Sequence, residues 1–281
     1  MRIARQRGFL ARGFALVLML CGGVAHAQIV QGNMELQWGD PRGGPGQPKR
    51  PAKFNATLVT DDGSRHVLDA DQARRAAGDL YALSSRRVAV QFSPAKRAGG
   101  LRSIDAIVPV EPLRTTASAR VMSMAKAVTG NTRWVTLACK FSDIATEQKP
   151  VTFFQDQYGI APGQLGHYWQ EVSYGKIDLT GSTAHGWFTL PQPRSYYIKT
   201  VDGEDDADLD LLFEDCAAAA DPTVNFAGVK GINMMFNGDL DGSAWGGSAC
   251  GPLEGVANAC IRNTWNPPWA FNNLAPLAHE M

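Results

Sequence analysis

Apolar and polar positions recur along the chain with two periods, and each period predicts an element. In "KFNATLVTDDGSRHVLD", Phe54, Ala56 and Leu58 occupy alternate positions, Asp62-Gly63 supplies a tight turn, and the pattern resumes from His66 to Leu68, a β-hairpin signature. Ala73, Ala76, Ala77, Leu80 and Leu83 recur at helical spacing and predict one helix over Ala70 to Leu83. Alternation returns through Val88, Val90 and Phe92, and again through Ile104, Ala106, Val108 and Val110, giving two strands with one apolar face each. The Gly-, Pro- and base-rich stretch Asp40 to Lys53 reads as a loop or arm. Glu111 to Asn131 carries Pro112 and a short amphipathic pattern through Val121, Met124 and Val128, and marks a domain boundary.

Beyond it, Trp134 to Phe141 is too short for a helix core and rich in strand formers, so it predicts a buried strand. Leu165, Tyr168, Trp169 and Val172 form one stripe of a helix from Gly163 to Ser173, closed by Gly175 as a left-handed cap. Ile177 and Leu179, a turn at Gly181-Ser182, and Trp187, Phe188 and Leu190 read as a second hairpin. Leu209, Leu212, Phe213, Cys216 and Ala220 face one side of a helix that starts near Asp206, and Gly231 to Phe236 is a buried strand. Gly242 to Pro268 is rich in Gly, Trp and Asn without regular period; Trp245, Trp265 and Trp269 either border a cleft or pack the loop down. Asn273 caps a last helix with Leu274, Leu277, Ala278 and Met281 on one face. The fold class is α+β, with a strand-rich unit over residues 28–130 and a mixed-sheet unit over residues 131–281.

Composition places this fold outside the cytoplasm. Four arginines precede an apolar run from Phe14 to Cys21, and Ala25-His26-Ala27 is a small-x-small cleavage pattern, so residues 1–27 form a signal peptide cut between Ala27 and Gln28. The expected location is secreted or periplasmic. No later run approaches the length needed to span a membrane. Removing four arginines and no acid from 27 basic and 27 acidic residues leaves 23 against 27, a balance that does not favour nucleic acid. Cys139, Cys216, Cys250 and Cys260 remain, an even number suited to an oxidising compartment. Cys250 with Cys260 is the favoured bridge, while Cys139 is either bridged or a buried free thiol. Residues 28–138 hold no cysteine, which excludes latency through a thiolate on a metal.

Candidate chemistry lies at His279-Glu280, which matches the first half of a His-Glu-x-x-His zinc helix. "YWQEVSYGKIDLTGSTAHGWFTLP" followed by "RSYY", together with "WVTLACKFSD" and "PLAHEM", resembles secreted bacterial metalloproteases of the M6, immune-inhibitor-A-like, family over about residues 133–281. The resemblance implies a metzincin-like catalytic domain, a Zn²⁺ cofactor, His279 as metal ligand, Glu280 as general base, and protein or peptide substrates. The strand-rich unit is then a pro- or accessory domain. The remaining zinc ligands fall after Met281, so the expectation is a fragment, inactive by itself, of a longer product. The competing expectation is a non-catalytic secreted binding or adhesion module on a protease-like scaffold. Ca²⁺ has two candidate places, the acids between Asp202 and Asp215 and the turn Asn237 to Gly242; the first reads better as the acidic start of a helix and the second as a polar turn.

Overall fold

The computed structural model describes residues 27–43, 50–96, 102–110 and 128–281. The signal sequence up to residue 26 and the amphipathic pattern through Val121 and Met124 lie outside them.

The leading unit comprises β1 (Gln28–Pro41), β2 (Lys53–Val59), β3 (Arg65–Leu68), α1 (Ala70–Ala77), β4 (Arg87–Lys96) and β5 (Arg102–Pro109). The expected β2–β3 hairpin is present, turning at Gly63 with φ 81°. The expected helix is shorter than its apolar pattern. Gly78, at φ 73°, ends α1, and the Asp79 carboxylate then accepts from the Ala82 amide to start a separate 3₁₀ turn over Tyr81–Leu83. The face expected for β5 is also corrected: Ile107 is buried and Val108 exposed, because register shifts between Gln91 and Phe92 where β4 meets β5. Met34, Leu36, Ala56, Leu58, Leu68, Ala73, Val88, Val90 and Phe92 form this unit's own core.

The second unit follows with β6 (Gly130–Asn131), β7 (Trp134–Lys140), α2 (Val151–Asp156), α3 (Leu165–Val172), β8 (Ile177–Asp178), β9 (Thr183–Thr189), α4 (Arg194–Tyr197), β10 (Ile198–Val201), β11 (Glu204–Ala207), α5 (Leu209–Ala220), β12 (Gly231–Phe236), β13 (Ser243–Leu253), β14 (Val256–Asn266) and α6 (Leu274–Glu280). The main sheet has ten strands in the order β3-β2-β1-β13-β14-β12-β7-β9, with β4 and β5 branching from β1. β9, β7, β12 and β14 are mutually parallel, and β13 runs antiparallel to both β14 and β1. The stretch Asp40 to Lys53, expected as a loop or arm, begins as strand: β1 continues to Pro41, because Gln37 to Pro41 gain β13 as a partner.

Two further expectations are overturned. The hairpin across Gly181-Ser182 does not form: β8 pairs with β6 and β9 with β7, both in parallel, since the Ser182 hydroxyl accepts from the Trp134 amide and seats β9 beside β7. The aperiodic stretch Gly242 to Pro268 is largely a long hairpin, β13–β14. Its first strand is buried on both faces, so the solvent-facing half of the alternation is missing.

Each face of this sheet carries a core. On one, α5 covers Val135, Leu137, Ile232, Met234, Trp245 and Trp265; on the other, α2 and α6 cover Trp134, Ala138, Met235 and Ala244. Trp245 and Trp265 lie directly opposite in register, and their indoles donate to Asp241 and to the Leu209 carbonyl. Both tryptophans therefore pack the core, each contributing on the order of 4 kcal/mol of burial. Cys139–Cys216 fastens α5 to β7, and Cys250–Cys260 crosses the β13–β14 hairpin between directly paired residues. Among the described residues no helix is long and apolar enough to cross a membrane.

Candidate functional site

The site is built from the end of α6. Asn273 caps the helix as expected, its side chain accepting from the Ala275 amide at 3.3 Å. Leu277 and Ala278 are buried, and Leu274 and Met281 pack against the same cluster with Phe154, Ala270 and Phe271. This seating turns two consecutive polar residues in opposite directions. Glu280 is driven onto the sheet and retains 2% exposure, whereas the His279 side chain remains 63% exposed.

Glu280 rests on Gly246 of β13, where even a methyl group would overlap its carboxylate. Neither carboxylate oxygen has a hydrogen-bond partner of ordinary geometry among the described residues. Burial pushes its pKa up to about 9, the nearby Asp40 charge adds to the rise, and a polar contact with Trp38 opposes it. The His279 Nε2 lies 3.2 Å from the Asp40 Oδ2. Trp38 and Asp40 are opposite Gly246 and Ala244 in register, so they share the sheet face that α6 crosses. A shallow cavity of about 410 Å³ beside His279 is lined by Trp38, Asp40, Lys53, Phe54, Arg74 and Tyr81. A larger one of about 660 Å³ lies away from His279, past Met281, among Trp134, Trp169, Leu179, Ile261 and Arg262.

Beneath α6 the sheet carries a polar band. Thr136, Asn233 and Thr264 stand side by side on β7, β12 and β14. The Tyr158 hydroxyl bridges Thr136 at 2.7 Å and Asn233 at 2.9 Å, Thr264 donates to Asn233 at 3.0 Å, and Asn266 donates to Thr264 at 2.7 Å. Burial lifts the Tyr158 phenol to about 12, so it stays protonated and free to donate. The signal was present in the sequence: a single polar residue sits inside each of two apolar runs, Thr136 in "WVTLAC" and Asn233 in "GINMMF".

A second cluster ties β1 to α5. Arg65 bonds Glu35 and lies 2.6 Å from Asp210, Gln37 donates to Asp210 at 3.1 Å, and the Cys250 amide donates to Glu35 at 2.7 Å. Burial, then the Asp210 charge, raises Glu35 to about 8, and burial raises Asp210 as well. Sequence spacing offered no route to this cluster, whose members come from four elements, β1, β3, α5 and β13.

The two calcium candidates have other engagements. Asp205 pairs with Arg194, Asp208 caps α5, Asp210 belongs to the cluster above, and Asp215 accepts from Tyr197. Asn237 and Asp241 hold their turn by bonds to Phe141, Ile144 and Thr146, and to Lys53, Ser243 and Trp245. Around His279 the described residues supply two donor atoms near each other, His279 Nε2 and Asp40 Oδ2, and they contain no group of three or more candidate metal-ligating side chains. That donor set suits part of a zinc cage and falls short of a whole one. No protein-family model and no curated protein matches this chain.

Proposed function

We propose that this chain belongs to a secreted zinc-dependent endopeptidase of metzincin-like architecture, with His279 as one zinc ligand and Glu280 as the general base. The observation that carries the reading is the end of α6, which lays an unpartnered carboxylate on strand β13 and presents the adjoining imidazole outward. A buried carboxyl without a partner costs stability, and such costs concentrate where chemistry needs them. The mixed sheet crossed by α6 and the two disulfides accord with an exported protease.

In this reading His279 offers an imidazole nitrogen to the metal, and further donors come from residues outside those described. Zinc would supply Lewis-acid activation of a peptide carbonyl and of a water. Burial favours the protonated form of Glu280, and the charge of a metal held beside it would favour the carboxylate, which would then take a proton from water and return it to the departing amine while resting on Gly246. The test is made on the full-length protein. Stoichiometric zinc, chelator-sensitive casein cleavage, and loss of cleavage in Glu280→Gln with zinc retained are expected. Metal-free protein with no casein cleavage would sink the assignment.

A further inference from the structure

Three parallel strands begin their pairing at one corner of the sheet, past Met281 and away from His279. Trp134, Gly231 and Arg262 stand side by side there on β7, β12 and β14. Gly231 has no side chain, and the Trp134 indole lies so close against it that a methyl group would overlap the ring. The cavity of about 660 Å³ opens at this corner, lined by Trp134 and Arg262 together with Trp169, Leu179, Leu253 and Ile261. Sites that enclose a small organic ligand have this size, and an apolar wall carrying a few charged groups is their usual make-up.

The charges that line the cavity have one sign. Lys230 and Arg262 are among its walls, and the described residues that line it include no Asp or Glu. Arg133 stands at the same end, its carbonyl accepting from the Lys230 amide at 2.8 Å, and Lys176 directly precedes β8, its carbonyl accepting from the Gly130 amide. None of these four cations forms an ion pair among the described residues; Arg133 and Arg262 donate to the backbone carbonyls of Ala227 and Met281. The acids close by in sequence have other partners, Asp178 accepting from Thr180 and Glu254 from the Phe226 amide. In a chain of 27 basic and 27 acidic residues, a corner with four unpaired cations beside an apolar cavity draws anions that carry an apolar body.

We infer that this cavity binds a small amphiphile with a carboxylate head, of the kind of a medium-chain fatty acid, taken from solution. The head sits between Lys230 and Arg262, and the apolar body lies against Trp134, Trp169 and Leu179. The planar guanidinium of Arg262 matches the two oxygens of a carboxylate, and the Lys230 ammonium adds a point charge. The indoles offer large rigid faces that lose little freedom when a chain packs on them. Nothing in this depends on zinc or on the role of Glu280.

Calorimetric titration of the full-length protein tests this with decanoate as the probe. Saturable binding is expected, with acetate and 1-decanol at least about tenfold weaker, since one lacks the body and the other the charge. No binding of decanoate, or equal binding of 1-decanol, overturns the inference. Lys230→Ala combined with Arg262→Ala should weaken decanoate at least about tenfold; both residues are exposed, so the fold should tolerate their loss. Unchanged affinity in that variant overturns the inference too. Decanoate brominated along its chain should quench tryptophan fluorescence, and Trp169→Phe should reduce the quenching; an identical response would place the ligand elsewhere. Should Trp169→Phe not fold, the charge variant decides. Binding to phosphatidylglycerol vesicles without binding of free decanoate would assign the corner to a membrane surface and sink the small-molecule site. None of these readouts uses zinc or casein cleavage, so the endopeptidase reading can fail while this one stands.

Discussion

Asp40, on the strand that opens the described chain, and His279, on the helix that closes it, meet through a 3.2 Å contact between Oδ2 and Nε2. The pair is half open to solvent, with side chains 44% and 63% exposed. A polar contact that exposed contributes roughly 0 to 1 kcal/mol. Asp40→Ala should therefore leave the thermal midpoint within a few degrees of wild type. A large fall would mean that the contact supports the fold and does not simply cover the imidazole.

Glu280 presents the opposite case, a buried carboxyl lacking hydrogen-bond partners. Replacing it with leucine removes the desolvation cost and keeps the volume, so Glu280→Leu should stabilise the chain by about 1 to 3 kcal/mol. Urea midpoints measure this. A destabilised variant would reveal that the carboxylate has a partner after all.

Gly246 leaves space for that same carboxylate. Gly246→Ala should cost about 1 to 3 kcal/mol by overlap with Glu280, and Glu280→Ala in the same chain should recover only part of it, because the added methyl also meets the carbonyl oxygen and Cα of residue 280. Strictly additive losses in the double variant would show that the carboxylate takes no part in the overlap.

The Glu35, Arg65 and Asp210 cluster ties stability to pH. Both carboxyl groups titrate above their ordinary values, Glu35 at about 8, so across this window the folded chain binds more protons than the unfolded one. Stability is therefore lost as pH rises from the ordinary carboxylate range through about 8, and regained on acidification within that window. Denaturation at pH 5 and pH 8.5 should show this slope and a clear reduction in Glu35→Gln. An identical slope in that variant would remove Glu35 as a cause.

The two disulfides should differ in worth. Cys139–Cys216 closes a separation of 77 residues and Cys250–Cys260 one of 10. Loop-closure entropy assigns about 4 kcal/mol to the first and about 3 kcal/mol to the second. Paired Cys→Ala substitutions with urea denaturation compare them; a larger loss from the shorter loop would place the difference in packing.

Elements whose surroundings are uneven were legible in the chain. The β2–β3 hairpin alternates because one face is wet, α5 shows its inward stripe because the other side is wet, and α6 announces itself by Asn273 and its apolar face. β13 carried no such sign, being buried on both faces, and its Gly246 reads as a loop residue until Glu280 is seen lying on it. Asp40 likewise belongs by composition to a Gly- and Pro-rich arm.

The residues by themselves determined the α+β class, the apolar faces of β2, α5 and α6, the favoured Cys250–Cys260 bridge and the His279-Glu280 pair, since each depends on neighbours within a few positions or on composition. Only the tertiary structure decided that Cys139 joins Cys216, that β1 extends a sheet belonging to the second unit, and that Asp40 reaches His279. Those relationships are set by which strand edge meets which across the whole chain. Local periodicity records the environment of a face, and it carries no information about the partner that covers an edge.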